Sequence, residues 1–144
     1  YPHVYVGSIA LGGNMQQAIN VLKEAEEYNG PSIVFAYAPC ISQGILTGME
    51  STIDEEKKAV QSGYYSLFHY DPVKAIFKLD AKADFDKYYE FIAGEDRYRI
   101  LKKINPEKYR ELLEQNKINA MERYNYYYDL AKSYEDKTKE DTND

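Results

Sequence analysis

Along the first forty residues the spacing of apolar positions switches from dense to helical and back, and each switch marks an element. Residues 4–11, VYVGSIAL, are dense in β-branched and apolar side chains and predict a strand. Gly12-Gly13 breaks it. Asn14 stands at an N-cap position with Gln17 three residues on, the spacing of a capping box. In MQQAINVLKEAEEY, Met15, Ala18, Ile19, Leu22 and Ala25 recur at helical intervals. Asn29-Gly30-Pro31 supplies the stop, and residues 32–38, SIVFAYA, form an unbroken apolar run. Such a run predicts a central parallel strand covered on both faces. Residues 4–38 therefore read as one β-α-β unit with a right-handed crossover.

Beyond residue 40 the pattern is more broken. ISQGILTGME reads as a loop with two glycines, and STIDEEKKAVQSGY as a helix capped by Thr52 or Asp54. YYSLFHYDP alternates as a strand closed by Asp71-Pro72, and AIFKLDAKAD as a short strand and turn. Asp84 caps a helix with Phe85, Tyr88, Tyr89 and Ile92 on one side, which Gly94 interrupts. Asn105-Pro106 restarts a final helix carrying Tyr109, Leu112, Leu113, Ala120, Tyr124 and Ala131. The ending DKTKEDTND is polar and is expected to fray.

Composition narrows the classes. The 144 residues suit one α/β domain followed by a helical extension, and the net charge of −6 opposes a nucleic-acid or anionic-membrane surface. No apolar run reaches bilayer length, and the N-terminus lacks the layout of a signal peptide. One cysteine excludes an internal disulfide and fits the reducing cytoplasm. The chain opens on Tyr1 already inside a strand-like run, the expectation being a piece of a longer polypeptide.

Candidate chemistry is sparse. Gly12-Gly13 before a helix could hold an anion, yet without GxGxxG or a Walker lysine a tight turn explains it better. His3 and His69 have no acidic partner at a diagnostic spacing. DEEKK, residues 54–58, reads as a solvated helix start with acids near the positive dipole end. The run RYNYYYDL has acidic neighbours and no basic stripe, so its tyrosines are expected to pack the last helix onto the body or onto a partner. Cys40 follows proline at the carboxyl end of the apolar strand, the edge where open α/β sheets gather ligands. A core thiol and a single thiolate given to a shared site fit these residues equally well. A whole zinc or iron–sulfur site does not, because it needs about four ligands.

Several blocks in order, VYVGSIALGGN, EAEEYNGPSIVFAYAPCISQGI, EEKKAVQSGYYSLFHYDP, FKLDAKAD and FIAGEDRYRILKKINPE, resemble the pyruvate:ferredoxin (or flavodoxin) oxidoreductases. GPSIVFAYAPCI followed by KKAVQSGY is the most specific part, and the resemblance runs from Tyr1 to about Tyr109. It implies an enzyme that decarboxylates pyruvate on thiamine diphosphate with Mg2+, passes electrons singly through [4Fe–4S] clusters to ferredoxin or flavodoxin, and forms acetyl-CoA. It implies further that this chain is the distal, C-terminal part of the thiamine-diphosphate-binding domain, within a doubly wound, mostly parallel sheet. Residues 1–80 would be the α/β half, 81–136 its helical extension and 137–144 a frayed tail.

In that family a cysteine matching Cys40 is the fourth ligand of the cluster nearest the thiamine, and the other three lie far upstream. The GDG region that binds the metal, and the loop that grips the diphosphate, also precede the matched stretch. The resemblance thus assigns Cys40 to metal and no residue here to thiamine or to catalysis. It implies a cytoplasmic enzyme of anaerobic metabolism, homodimeric when intact, with this stretch alone binding no cofactor and inactive. Two alternatives compete: a stand-alone α/β interaction domain docking through the tyrosine-rich helix, and a thiol enzyme with Cys40 as nucleophile, for which neither histidine has a supporting context.

Overall fold

The β-α-β unit forms where the apolar spacing puts it. The structure, a computed structural model, describes residues 2–40, 42 and 44–141. It places β1 at Tyr5–Ile9, α1 at Met15–Glu27 and β2 at Ser32–Ala36, with β1 and β2 parallel and Tyr5 opposite Ser32. α1 begins as expected because the extended Asn14 accepts the Gln17 N–H on its Oδ1 at 3.0 Å. The reciprocal half of a capping box is not made. Gln17 Nε2 donates instead to Ser8 O at 3.2 Å and to Asp80 Oδ2 at 2.9 Å, since Gln17 lies on the buried side of α1. Asn14→Ala is expected to cost about 1 kcal/mol, the usual worth of an N-cap. Thermal unfolding should read this as a fall in Tm of roughly 3 °C.

The chain continues with α2 (Thr52–Gln61), β3 (Phe68–Asp71), β4 (Ile76–Leu79), α3 (Tyr88–Gly94), α4 (Asp96–Ile104) and α5 (Pro106–Asp141). Ser51, rather than Thr52 or Asp54, occupies the N-cap of α2, and its hydroxyl donates to Gly48 O. The strands stand in the order β2-β1-β3-β4. Only β1 and β2 are parallel; β3 runs antiparallel to β1 and β4 antiparallel to β3. The expected mostly parallel sheet is therefore mixed over these residues. A helical crossover allows β2 to return parallel, whereas the short turn between β3 and β4 permits only an antiparallel hairpin.

Helices cover both faces. On one, Tyr5 and Ile9 of β1 pack with Ala18 and Val21 of α1. Gly7 lies between them, so close to α1 that a Cβ there would overlap Val21 Cγ1. On the other, Phe68 and Phe77 meet Tyr127 of α5 at ring separations of 4.8 and 6.2 Å, and Tyr134 approaches Tyr70 and Phe77. Tyr124 rests against Phe85 at 5.8 Å. The tyrosine run thus packs the last helix onto the body, with Tyr126 and Tyr128 left outside. The largest buried cluster joins α2, α3 and α5 through Ala59, Tyr88, Phe91, Ile92 and Ala120. α5 continues to Asp141, into the stretch expected to fray, and 142–144 lie outside the described residues.

One expectation is not met within the described residues. Among them β2 stands at the end of the strand order rather than inside it, and Ile33 and Phe35 on its α5-side face are 43% and 56% exposed. An unbroken apolar run says that both faces seek cover. It does not say that the cover comes from nearby chain.

Candidate functional site

The local geometry around Cys40 begins with the end of β2. The Tyr37 N–H donates to Ile9 O at 2.9 Å, extending the ladder one residue past the strand. The Tyr37 ring stacks on Tyr65 at 5.0 Å and stands edge-on to Tyr64 at 6.1 Å. Tyr65 in turn donates its hydroxyl to Phe35 O at 3.1 Å. Ala38 and Pro39 follow, proline fixing its own φ, and Cys40 is exposed. Its position at the carboxyl end of a parallel strand matches the expectation; burial in a core does not.

After Cys40 the chain turns back. The Gly44 N–H donates to Cys40 O at 3.0 Å, and Gly44 sits at φ +77°, a conformation that suits glycine. Ile45 then bridges to Glu95, and the Leu46 N–H donates to Gly94 O at 3.1 Å. The junction between α3 and α4 thereby holds the downstream side of the loop, with Gly94 closing α3 where the sequence suggested an interruption.

The other candidates resolve as follows. The Gly12-Gly13 turn binds an anion of the chain itself: the Gly12 N–H donates to Glu56 Oε2 at 2.8 Å. A Cβ on Gly12 would overlap the Ile53 carbonyl, so glycine is what lets α2 approach the turn. DEEKK is not simply solvated, because Glu55 and Glu56 are 1% and 4% exposed. The signal was present: both stand four positions before Ala59 and Val60 and so share their buried face. Glu55 Oε2 pairs with Lys58 at 3.1 Å.

His3 is exposed, whereas His69 has a partner that spacing did not reveal. Its Nδ1 lies 2.8 Å from Asp80 Oδ2, the oxygen that Gln17 also binds, in a polar pocket shared with Asn14, Asn20, Glu24 and Lys78. The hydrogen bond to Asp80 raises the His69 pKa above its ordinary value, with burial working against it. The pair therefore stabilises the fold fully below about pH 6.5, and that contribution is lost as pH rises through the raised value. Urea midpoints should fall across that window, and His69→Gln should flatten the slope.

Among the described residues no group of three or more His, Cys, Asp or Glu is placed to hold a metal ion. The Cys40 thiol is a soft donor of the kind that iron and zinc accept. No helix among the described residues is long and apolar enough to cross a membrane.

Comparison with known proteins agrees with the sequence blocks. No protein-family model matches the chain. It is 42% identical over 136 residues to the pyruvate:ferredoxin oxidoreductase of Moorella thermoacetica, covering 91% of this chain and 11% of that protein. It is 38% identical over 138 residues to the pyruvate-flavodoxin oxidoreductase of Enterobacter agglomerans, covering 92% and 12%. A mitochondrial pyruvate dehydrogenase [NADP(+)] of Euglena gracilis is 37% identical over 132 residues, 88% of this chain and 7% of that protein. By sequence, then, the chain belongs with the pyruvate:ferredoxin and pyruvate-flavodoxin oxidoreductases, and it spans about a tenth of the length of these curated relatives.

Proposed function

We propose that this chain is a segment of an oxidoreductase that oxidatively decarboxylates pyruvate to acetyl-CoA and CO2, with Cys40 giving one thiolate to a [4Fe–4S] cluster. Residues 1–80 are the distal α/β half of its thiamine-diphosphate-binding domain, 81–136 the helical extension and 137–144 a polar tail. The observation that carries this is the exposed Cys40 at the carboxyl end of β2, inside a stretch similar to these oxidoreductases over nine-tenths of the chain. The exposed apolar face of β2 supports the same reading, since Ile33 and Phe35 are side chains that ask for cover by further protein.

When bound, the cluster accepts and releases single electrons, while thiamine diphosphate with Mg2+ supplies the electron sink for decarboxylation. The chain's own contribution is positional. Tyr37, tied to Ile9, and Gly44, tied to Cys40 O, limit where the sulfur can stand. Ligation to iron would keep the thiol deprotonated, and a short loop off a strand would limit how far the Cys40 sulfur can move. Ferredoxin or flavodoxin takes the electrons, pyruvate and coenzyme A are the substrates, and the intact enzyme is a cytoplasmic homodimer. By itself this stretch holds neither thiamine diphosphate nor a whole cluster and is inactive. The deciding test is Cys40→Ala in the full-length protein, read by low-temperature EPR after reduction. An undiminished set of cluster signals overturns the ligand role.

A further inference from the structure

Cys40 is bracketed by two anchors that are far apart in sequence yet end on one group of side chains. Upstream, the Tyr37 ring leans on Tyr64 at 6.1 Å. Downstream, Ile45 bridges to Glu95. Arg97 joins the two: its Nη2 donates to Tyr64 OH at 2.9 Å and pairs with Glu95 Oε2 at 3.2 Å. The same guanidinium lies over the Tyr98 ring at 4.9 Å and beside the Tyr64 ring at 5.7 Å, while the Tyr64 and Tyr98 hydroxyls sit 3.3 Å apart. Arg97 also leaves little room for substitution, because a planar fork that binds a phenol and a carboxylate while resting on two rings has no equivalent in lysine.

The carboxylate end of this network is buried. Glu95 is 3% exposed, and burial raises its pKa, with nearby Glu55 and Asp96 pushing the same way and Arg97 alone opposing. Glu95 Oε1, Glu55 Oε1, Arg97 Nε and Tyr37 OH are buried without a hydrogen-bond partner among the described residues. Taking out Arg97 would leave the buried Glu95 carboxylate without the guanidinium it pairs with, and relief would come most easily by movement of residues 94–96. Those residues carry the Ile45 and Leu46 bonds, so the loop bearing Cys40 would move with them.

We propose that Arg97 is a positioning residue for Cys40: through Tyr64 and Glu95 it holds both flanks of the loop and thereby sets how the sulfur meets its metal. This rests on the assignment of Cys40 as a cluster ligand. It is tested in the full-length enzyme with Arg97→Gln beside Cys40→Ser, reading EPR spectra and the midpoint potential of each cluster. Arg97→Gln should shift the g-values and potential of the cluster that Cys40→Ser alters, with the signals of the other clusters unchanged and serving as the folding control. If Cys40→Ser acts and Arg97→Gln folds with every signature in place, the positioning role is overturned and the ligand role stands. If Cys40→Ser itself changes nothing, the ligand role fails first. Should Arg97→Gln not fold, Tyr64→Phe removes only the oxygen that Arg97 binds. It is expected to give a smaller shift of the same cluster, and an unaltered spectrum overturns the proposal.

Discussion

Cys40→Ala in the full-length enzyme is expected to abolish one [4Fe–4S] EPR signal, lower the iron content by about four atoms per chain, and reduce ferredoxin- or flavodoxin-linked turnover by orders of magnitude. The same change should leave the stability of this chain within about 0.5 kcal/mol, because an exposed side chain opens no cavity when it is shortened. The two readouts together are diagnostic. A thiol serving as packing would give the reverse result: destabilisation of about 1 kcal/mol or more on truncation, and intact clusters. Cys40→Ser keeps the size and offers iron a harder, poorer donor, so a weakened or altered signal is expected in place of a clean loss.

The largest effect on folding is expected at Phe91. It is 1% exposed, belongs to the cluster with Ala59, Tyr88, Ile92 and Ala120, and its ring lies 4.8 Å from that of Tyr64. Phe91→Ala removes the ring from a site walled by three helices, which cannot collapse without moving one of them. The cost should be about 3–5 kcal/mol. Domains of this size commonly have only about 5–15 kcal/mol in all, so the variant should be close to unfolding at 37 °C. Urea unfolding checks it, with an expected fall in midpoint of about 1–3 M. A loss below about 1 kcal/mol would show that α3 is not held through this cluster. Because Tyr64 loses a wall, Arg97 should also loosen, linking this core to the Cys40 loop.

The contrast between these two positions illustrates how the molecule divides its tasks. Phe91 is buried among residues from α2, α3 and α5 and supports the platform. Cys40 stands outside that platform, exposed, with the backbone on either side of it tied to Ile9 and to Gly44. In the role proposed for Cys40, the sulfur would have to face other protein, and its placement would come from what flanks it.

Local pattern was enough to place β1, α1 and β2, the Asn14 cap, the Gly94 break and the Asn105-Pro106 restart. Each depends on residues within a few positions of one another, and the helical and extended repeats record such neighbours directly. Cys40 could be singled out by its uniqueness and by the strand before it, and the resemblance to a family supplied the ligand role proposed for it. Tertiary structure alone decided that, among the described residues, β2 ends the strand order with Phe35 exposed, that β3 and β4 make the sheet mixed, and that Glu55 and Glu56 are buried. It alone brought Asp80 to His69, and Arg97 to Tyr64 and Glu95. These pairings join residues that are close only after the chain has folded, and a periodicity along one strand or helix carries no record of what will pack against it.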